Sequence, residues 1–263
     1  MNLREGVAIR IYISSSDLNL FVEIQKDTNY QHLYEEMNLL GKRPIVPAFQ
    51  LLSKIFIETI PYKLIDKKKV TIEGFFNTIL TVEENAYFNC LTEEEDSFFV
   101  WDNKEAFGKH LDFDASIEIK ILLNQYYRHK VITSDQKKKI NIDKVQTEKF
   151  AKLFGLSSRT NLSDLCFIAS YSTFVIVLET KNKMSRDNKA TPFYKYIRIS
   201  FNKGISGISK SQTVTYEYDL HFVGKRTIYF FFRVTDENKE LLNGELKVDF
   251  ISKKNLLRFT KNY

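Results

Sequence analysis

Three side chains in residues 162–183 could together carry out metal-assisted chemistry. Asp164 and Glu179 are carboxylates, and Lys181 follows Glu179 in the order acid, any residue, lysine. Two carboxylates that share a site can hold a divalent cation and a bound water, and a nearby ammonium group can orient that water. This chemistry requires that the chain bring Asp164 and Glu179 close together.

The surrounding sequence predicts a β-hairpin that would do so. Two apolar runs, residues 165–169 and 174–178, are separated by the short polar stretch 170–173. Such a pattern is typical of two paired strands that are buried on both faces. Pairing across the turn would place Asp164 beside Glu179 at one rim of the sheet, with Lys181 on the same strand face as Glu179 because side-chain direction repeats every second residue.

The acid-x-lysine triplet alone carries little information, because it recurs along the chain. Copies begin, for example, at Asp102, Glu118, Asp187, Glu237 and Glu245. The copy at 118–120, with Asp112 and Asp114 nearby, is best explained as a solvated amphipathic segment. The copy at Glu179 differs in context, since it ends an apolar run and follows an Asp-headed run at hairpin distance.

In this arrangement the chain resembles the PD-(D/E)XK nuclease superfamily, and within it the type II restriction endonucleases. The resemblance rests on residues 162–183, on the preceding helix-like segment KFAKLFGLSS, and loosely on the later segments TIYFFFRV and LKVDFISKKNLLRF. No proline precedes Asp164 and no helix is evident after Lys181, and both features depart from that family's pattern.

The resemblance implies a metal-dependent DNA endonuclease of the restriction or mobile-element type. Asp164, Glu179 and the backbone carbonyl of Thr180 would bind Mg²⁺, which prefers oxygen ligands. Lys181 would orient the attacking water or offset phosphate charge, and Glu148 would be a further acidic contact. The DNA backbone would be contacted by basic residues after the hairpin, namely Lys183, Arg186, Lys189, Lys195 and Lys203.

Two alternatives stay open at this stage. Glu179 and Lys181 could be solvent-facing residues at a strand end, with Asp164 a turn or cap residue. The chain would then be a non-catalytic β-rich module, either a nucleic-acid clamp or a viral structural subunit. Carboxylates of Asp164 and Glu179 more than roughly 8 Å apart would favour this alternative, since one cation cannot span that gap.

Composition narrows the class of protein. The 263 residues are 43% hydrophobic and 27% charged, which is ordinary for a globular chain that buries a sizeable core. Only nine glycines occur, with no dinucleotide-binding fingerprint or phosphate-binding loop. The net charge of +6 indicates an anionic partner such as DNA, although lysine-rich usage also arises from an AT-rich genome.

Other features indicate an intracellular protein. Cys90 and Cys166 are expected to be free thiols in a reducing compartment, and the four histidines lack zinc-ligand spacing. No signal-peptide layout is evident, and no apolar run approaches the roughly twenty residues that a membrane helix needs. We therefore predict a cytoplasmic location and leave open a homodimer or larger assembly.

The predicted fold is β-rich α+β, with a mixed sheet and a helix-hairpin core in the second half. The basic polar stretch 128–139 separates a β-rich N-terminal half, 1–130, from an α/β-hairpin C-terminal half, 135–263. Residues 18–24 are predicted as a strand, about 28–40 as a helix, and 114–127 as a helix. No internal repeat is detectable in the sequence.

Overall fold

Ten strands and four helices form the described part of the chain. The structure, a computed structural model, describes residues 3–27, 29, 32–33, 43–59, 69–93, 98–102, 117–123, 136–157, 160–184, 190–202, 213–237 and 239–252. The strands are β1 Leu3–Tyr12, β2 Val70–Phe76, β3 Asn85–Glu93, β4 Phe98–Asp102, β5 Ile117–Leu123, β6 Lys137–Asn141, β7 Ala190–Phe201, β8 Thr213–Val223, β9 Thr227–Asp236 and β10 Lys239–Ser252. The helices are α1 Ser15–Gln25, α2 Ala48–Thr59, α3 Lys144–Leu153 and α4 Asn161–Met184.

The strands form a single ten-stranded sheet that repeats its own topology. The spatial order is β1-β3-β4-β5-β2-β7-β10-β9-β8-β6, and every described pair is antiparallel. Adding five to each strand number of the first half, 1-3-4-5-2, gives the order of the second half, 6-8-9-10-7. The halves meet at the β2–β7 pairing, where Ile72 lies opposite Ile199. Each half places its two helices between its first and second strands.

Helix α1 occupies a segment for which the sequence predicted a strand. Ser14 is its N-cap: the Ser14 hydroxyl accepts from the Asp17 amide and the Asp17 carboxylate accepts from the Ser14 amide. This reciprocal capping box starts a helix at a stretch that otherwise resembles a turn. Leu18, Phe21 and Ile24 then fall on one buried face.

The predicted hairpin at 162–183 is instead the single 24-residue helix α4. The polar residues assigned to its turn lie inside the helix, where the Ser170 hydroxyl donates to the Phe167 carbonyl at 3.1 Å. Thr180 likewise donates to the Ile176 carbonyl at 2.9 Å. Serine and threonine satisfy themselves against the preceding helical turn in this way, so they do not force a break.

Helix α4 is apolar on most sides because it is enclosed. It packs against β7 and β10 on the sheet and against α1, α2 and α3 in the helical layer. A 20-residue window, Leu162–Lys181, is long and apolar enough to cross a membrane, but 78% of it is buried inside the protein. A helix of this kind is typical of the core of a soluble protein. The prediction that no apolar run approaches the length of a membrane helix was wrong.

Residues 117–123 form strand β5, so the helix predicted at 114–127 was wrong. Ile117, Ile119, Ile121 and Leu123 are buried while the residues between them are half-buried. This alternation with period two places one face of β5 on the core between β4 and β2. The helix predicted at about 28–40 lies almost wholly outside the described residues.

The predicted β-rich α+β class is confirmed. The sheet, predicted to be mixed, is antiparallel in every described pair, and the helix-hairpin element is replaced by α4. The core is rich in aromatic rings, such as the stacked pair Phe56 and Phe201, whose centroids are 5.6 Å apart. It also contains Phe150, Phe167 and Tyr216, which are fully buried. The division into halves 1–130 and 135–263 stays a prediction.

Candidate functional site

Helix α4 keeps apart the two carboxylates that the predicted hairpin would place side by side. Asp164 and Glu179 are fifteen positions apart on α4, which corresponds to about 22 Å along the helix axis. Asp164 is buried in the first turn, and Glu179 accepts a hydrogen bond from Lys138 on the edge strand β6. One metal ion cannot bridge these carboxylates.

The remaining predicted site residues are scattered. Thr180 is buried and bonds within α4, and Glu148 is exposed near Lys144. Lys195 lies on β7 over the Phe193 ring, and the side chains of Lys183, Arg186, Lys189 and Lys203 lie outside the described residues. Among the described residues no group of three or more His, Cys, Asp or Glu side chains could hold a metal ion. The Mg²⁺ prediction is untested, but the geometry on which it was based is absent.

Lys181 contributes to a different cluster, which contains the buried carboxylate of Asp27. Burial lowers the pKa of the Lys181 ammonium, and the charge of Asp27 opposes that shift. The same electrostatic interaction with Lys181 opposes the rise in the pKa of Asp27. Asp27 itself lines one of two adjoining cavities.

The two cavities meet at His32, Ala48 and Tyr194, which line both of them. The first, of about 440 Å³ including its open mouth, is walled mainly by apolar side chains. The second, of about 340 Å³ by the same measure, contains the polar groups. The apolar cavity is further lined by Ile45, Leu51, Phe76, Ile79 and Ile117, and the polar one by Gln25, Asp27, Asn29 and Ser170.

The end of α1 directs Asp27 into the polar cavity. Lys26 adopts the left-handed conformation, with φ of 53°, and the Asp27 amide donates to the Val22 carbonyl at 2.9 Å. This C-terminal cap turns the chain sharply inward. Asp27 Oδ1 then accepts from both the backbone amide and the side-chain amide of Asn29, each at 2.8 Å. Asp27 is consequently held in one orientation and is 7% exposed.

His32 is fixed by a hydrogen bond to the backbone before α2. Its Nδ1 lies 2.6 Å from the Ile45 carbonyl oxygen. A carbonyl oxygen only accepts, so Nδ1 carries a proton and Nε2 is the ring nitrogen that faces away from this hydrogen bond. Nε2 lies 3.8 Å from Asp27 Oδ2. The structure thus places a carboxyl oxygen and an imidazole nitrogen side by side at the junction of the two cavities.

Burial sets the protonation of the groups around this pair. Desolvation raises the pKa of Asp27, and the charge of His32 and the hydrogen bonds from Asn29 only partly oppose that rise. Desolvation, with a smaller effect of the Asp27 charge, also raises the pKa of Tyr194. Tyr194 therefore keeps its hydroxyl proton, and Asp27 holds a proton more readily than an ordinary aspartate.

The start of α2 adds hydrogen-bond donors to the same place. Pro47 precedes the helix, and its carbonyl accepts from the amides of Gln50 and Leu51. The amides of Ala48 and Phe49 come before the first hydrogen bond that a helix can make to itself, so they are oriented donors at the positive end of the helix. Ala48 lines both cavities, which puts these donors beside His32.

The sequence interpretation missed Asp27 and His32. Five positions separate them in a segment that shows no motif, and the contacts that define their roles come from Ile45, Tyr194 and the distant helix α4. The nearest local signal is the pair Pro44 and Pro47, which marks a constrained entry into α2.

Comparisons with known proteins indicate the fold of this chain. Neither the protein-family models nor the curated proteins include a match. Among solved structures, the chain is similar to a dehydratase domain from the CurJ module of curacin polyketide synthase, with TM-score 0.53 and 11% identity over 95% of this chain and 93% of that one. It is also similar to a MaoC-like dehydratase, with TM-score 0.52 and 7% identity over 95% and 98% of the two chains. A third is the dehydratase domain of the polyketide protein PpsC from Mycobacterium tuberculosis, with TM-score 0.50 and 10% identity over 94% and 93%.

These similarities assign the chain the hot-dog fold of MaoC-like dehydratases. At such low identity they establish the fold alone. The resemblance to PD-(D/E)XK nucleases was wrong, and so were the endonuclease and the restriction-type function inferred from it. The DNA partner and the alternative of a nucleic-acid clamp or viral structural subunit are likewise contradicted. The oligomeric state stays a prediction.

Proposed function

We propose that this chain is a dehydratase that acts on a β-hydroxyacyl thioester, with Asp27 and His32 as its acid–base pair. The observation that carries the proposal is the pair itself: a buried carboxyl and an imidazole of fixed tautomer, 3.8 Å apart at the junction of an apolar and a polar cavity. The hot-dog fold supports it, because similar solved structures are dehydratases.

The reaction needs two groups on one side of the substrate. His32 Nε2 would accept the proton from the carbon next to the thioester carbonyl, since Nδ1 already carries a proton. Asp27, whose raised pKa favours the protonated form, would donate its proton to the leaving β-hydroxyl. The Cα–H and Cβ–O bonds break, the Cα=Cβ bond forms, and water leaves. The reverse direction hydrates an enoyl thioester.

The surroundings suit the rest of such a substrate. The apolar cavity can take an acyl chain. The amides of Ala48 and Phe49 can donate to the thioester carbonyl oxygen as negative charge develops on it. We place the enzyme in the cytoplasm, since the unpaired and buried Cys166 suits a reducing compartment.

The direct test is turnover of β-hydroxyacyl and trans-2-enoyl thioesters of increasing chain length by the purified protein. Formation or loss of the conjugated double bond is followed by ultraviolet absorbance, and release of free thiol is measured in parallel. We expect the conjugated bond to change without thiol release. Thiol release alone would replace the dehydratase with a thioesterase, and no change with any thioester would overturn the proposal.

A further inference from the structure

Two buried amide side chains in the polar cavity have an acceptor oxygen without a hydrogen-bond partner. Gln25 is 2% exposed and Asn29 is 3% exposed, and both line this cavity. Neither Gln25 Oε1 nor Asn29 Oδ1 meets a donor. A buried polar atom left unsatisfied is costly, and such atoms at the wall of a cavity indicate a ligand that satisfies them.

The orientation of Gln25 is fixed by a chain of hydrogen bonds. The Ser170 hydroxyl donates to the Phe167 carbonyl at 3.1 Å, so its oxygen serves as the acceptor for Gln25. Gln25 Nε2 donates to that oxygen at 2.8 Å. The nitrogen is therefore turned to α4, and Oε1 is the atom that is left without a donor.

The orientation of Asn29 is fixed by Asp27. Asn29 Nδ2 donates to Asp27 Oδ1 at 2.8 Å, and a carboxylate oxygen could not accept from the Asn29 oxygen. Asn29 Oδ1 is therefore the free end of that amide. Both unsatisfied atoms of the cavity are acceptors, and the same cavity contains the Asp27–His32 pair.

We propose that the polar cavity is a subsite for an uncharged hydrogen-bond donor on the ligand, a hydroxyl or an amide N–H, which Gln25 and Asn29 accept. An uncharged donor suits the site because Gln25 and Asn29 offer neutral acceptors in a buried setting, where an unpaired charge is costly. This inference rests on the proposed function in one respect, since it takes the ligand that carries the donor to be an acyl thioester. Donor binding itself can be measured without turnover.

The test compares ligands that differ only in the donor. Isothermal titration calorimetry gives the dissociation constants of octan-1-ol and its methyl ether, and of N-methyloctanamide and N,N-dimethyloctanamide. We expect one pair to show about tenfold tighter binding of the donor-bearing member to the wild-type protein, the size of one hydrogen bond in a dry site. The pair that shows it identifies the donor as a hydroxyl or an amide. Equal binding within both pairs would overturn the inference.

Two variants locate the effect at Gln25. Gln25→Met removes the acceptor and should abolish the preference, whereas Ser172→Ala, on the same helix but not among the residues that line the cavity, keeps the Gln25–Ser170 bond and should retain it. A preference that survives in a folded Gln25→Met protein would contradict the role of Gln25. The comparison of the paired ligands with the wild-type protein tests the inference even where a variant does not fold. An active dehydratase without the preference refutes only this inference, and a preference in an inactive protein refutes only the proposed function.

Discussion

Asp27 is a buried carboxyl whose surroundings oppose its ionisation. Among the described residues, Asn29 alone donates hydrogen bonds to it, and His32 Nε2 lies 3.8 Å from its Oδ2. Burial of this carboxyl makes its ionised form costly in the folded protein. The raised pKa that results suits a general acid at neutral pH.

We predict that Asp27→Asn stabilises the protein at neutral pH. A carboxyl whose folded pKa is raised contributes stability below its unfolded pKa, and that contribution is lost as the pH rises through the folded pKa. Asparagine keeps the oxygen that accepts from Asn29 and cannot ionise. Urea unfolding below the ordinary aspartate pKa and at neutral pH should show a gain for the variant only at neutral pH.

The half-exposed Asp236 provides the control for this substitution. It lies at the end of β9, and Asp236→Asn should change stability little at either pH. A loss of stability in Asp27→Asn that is larger at neutral pH would contradict the direction of the Asp27 pKa shift.

Among single residues, a prediction about burial was confirmed, whereas the residues predicted to share a catalytic site do not lie together. Cys166 is a free, buried thiol whose pKa is raised to about 12 by desolvation, which matches the expected inert cysteine. Asp164 and Lys181 were singled out for a shared site, but their positions on one helix keep them apart. Chemical roles depend on neighbours that are distant in sequence, and one sequence does not reveal those neighbours.

Helix α4 shows why the type of an element can be mistaken. Residues 165–169 and 174–178 are apolar runs, and a fully enclosed helix has no polar face to give the run a period of 3.6 residues. The distinction from a buried hairpin then depends on the polar residues between the runs. Within α4, Ser170, Ser172 and Thr173 are buried, and the Ser172 hydroxyl has no hydrogen-bond partner among the described residues.

Substitutions at Ser172 separate the helix from the hairpin. Ser172→Pro in the helix interior removes a backbone hydrogen bond and clashes with the preceding turn, and should cost about 3 kcal/mol or more of unfolding free energy. Ser172→Ala, the matched control, removes an unsatisfied buried hydroxyl and should be neutral or mildly stabilising. Denaturant unfolding of both variants measures the difference, and tolerance of proline equal to that of alanine would favour a turn at this position.

At the scale of the whole molecule, the sheet continues from one half to the other through the β2–β7 pairing, and charged side chains lie on that pairing. Arg198 on β7 contacts Glu73 on β2 at 2.7 Å and Glu245 on β10 at 2.9 Å. Glu73 is largely buried, with 9% of its side chain exposed. The arginine therefore neutralises a carboxylate at the seam between β2 and β7.

We expect Arg198→Ala to destabilise the protein by about 2–4 kcal/mol, because it leaves the Glu73 carboxylate buried without its partner. Arg233→Ala on β9 is the control. Its partner Glu217 keeps Lys137 at 2.8 Å, so the loss should be about 1 kcal/mol or less. Equal losses in the two variants would contradict a special role for the seam.

Several strands of this fold could be predicted from the sequence, whereas the repeat of its topology could not. The residue patterns at 193–201, 213–222, 227–234 and 245–251 predict strands, and β7, β8, β9 and β10 lie there. Buried and half-buried residues alternate along most of β9, whereas β8 and β10 each contain four consecutive buried residues. The order 1-3-4-5-2 and its copy 6-8-9-10-7 arise from pairings between distant segments. Without a repeated motif in the sequence, this arrangement and the hot-dog fold became evident only in three dimensions.

The most direct test of the account is the rate of hydration of a trans-2-enoyl thioester by His32→Gln beside the wild-type protein. Glutamine approximates the size of histidine but cannot act as a base, so kcat/KM should fall by about 10²–10⁴-fold with the fold intact. His221→Gln, at an exposed histidine on β8, should retain full activity. A folded His32→Gln protein with the same kcat/KM as the wild-type protein would contradict the assignment of the Asp27–His32 pair as the active site.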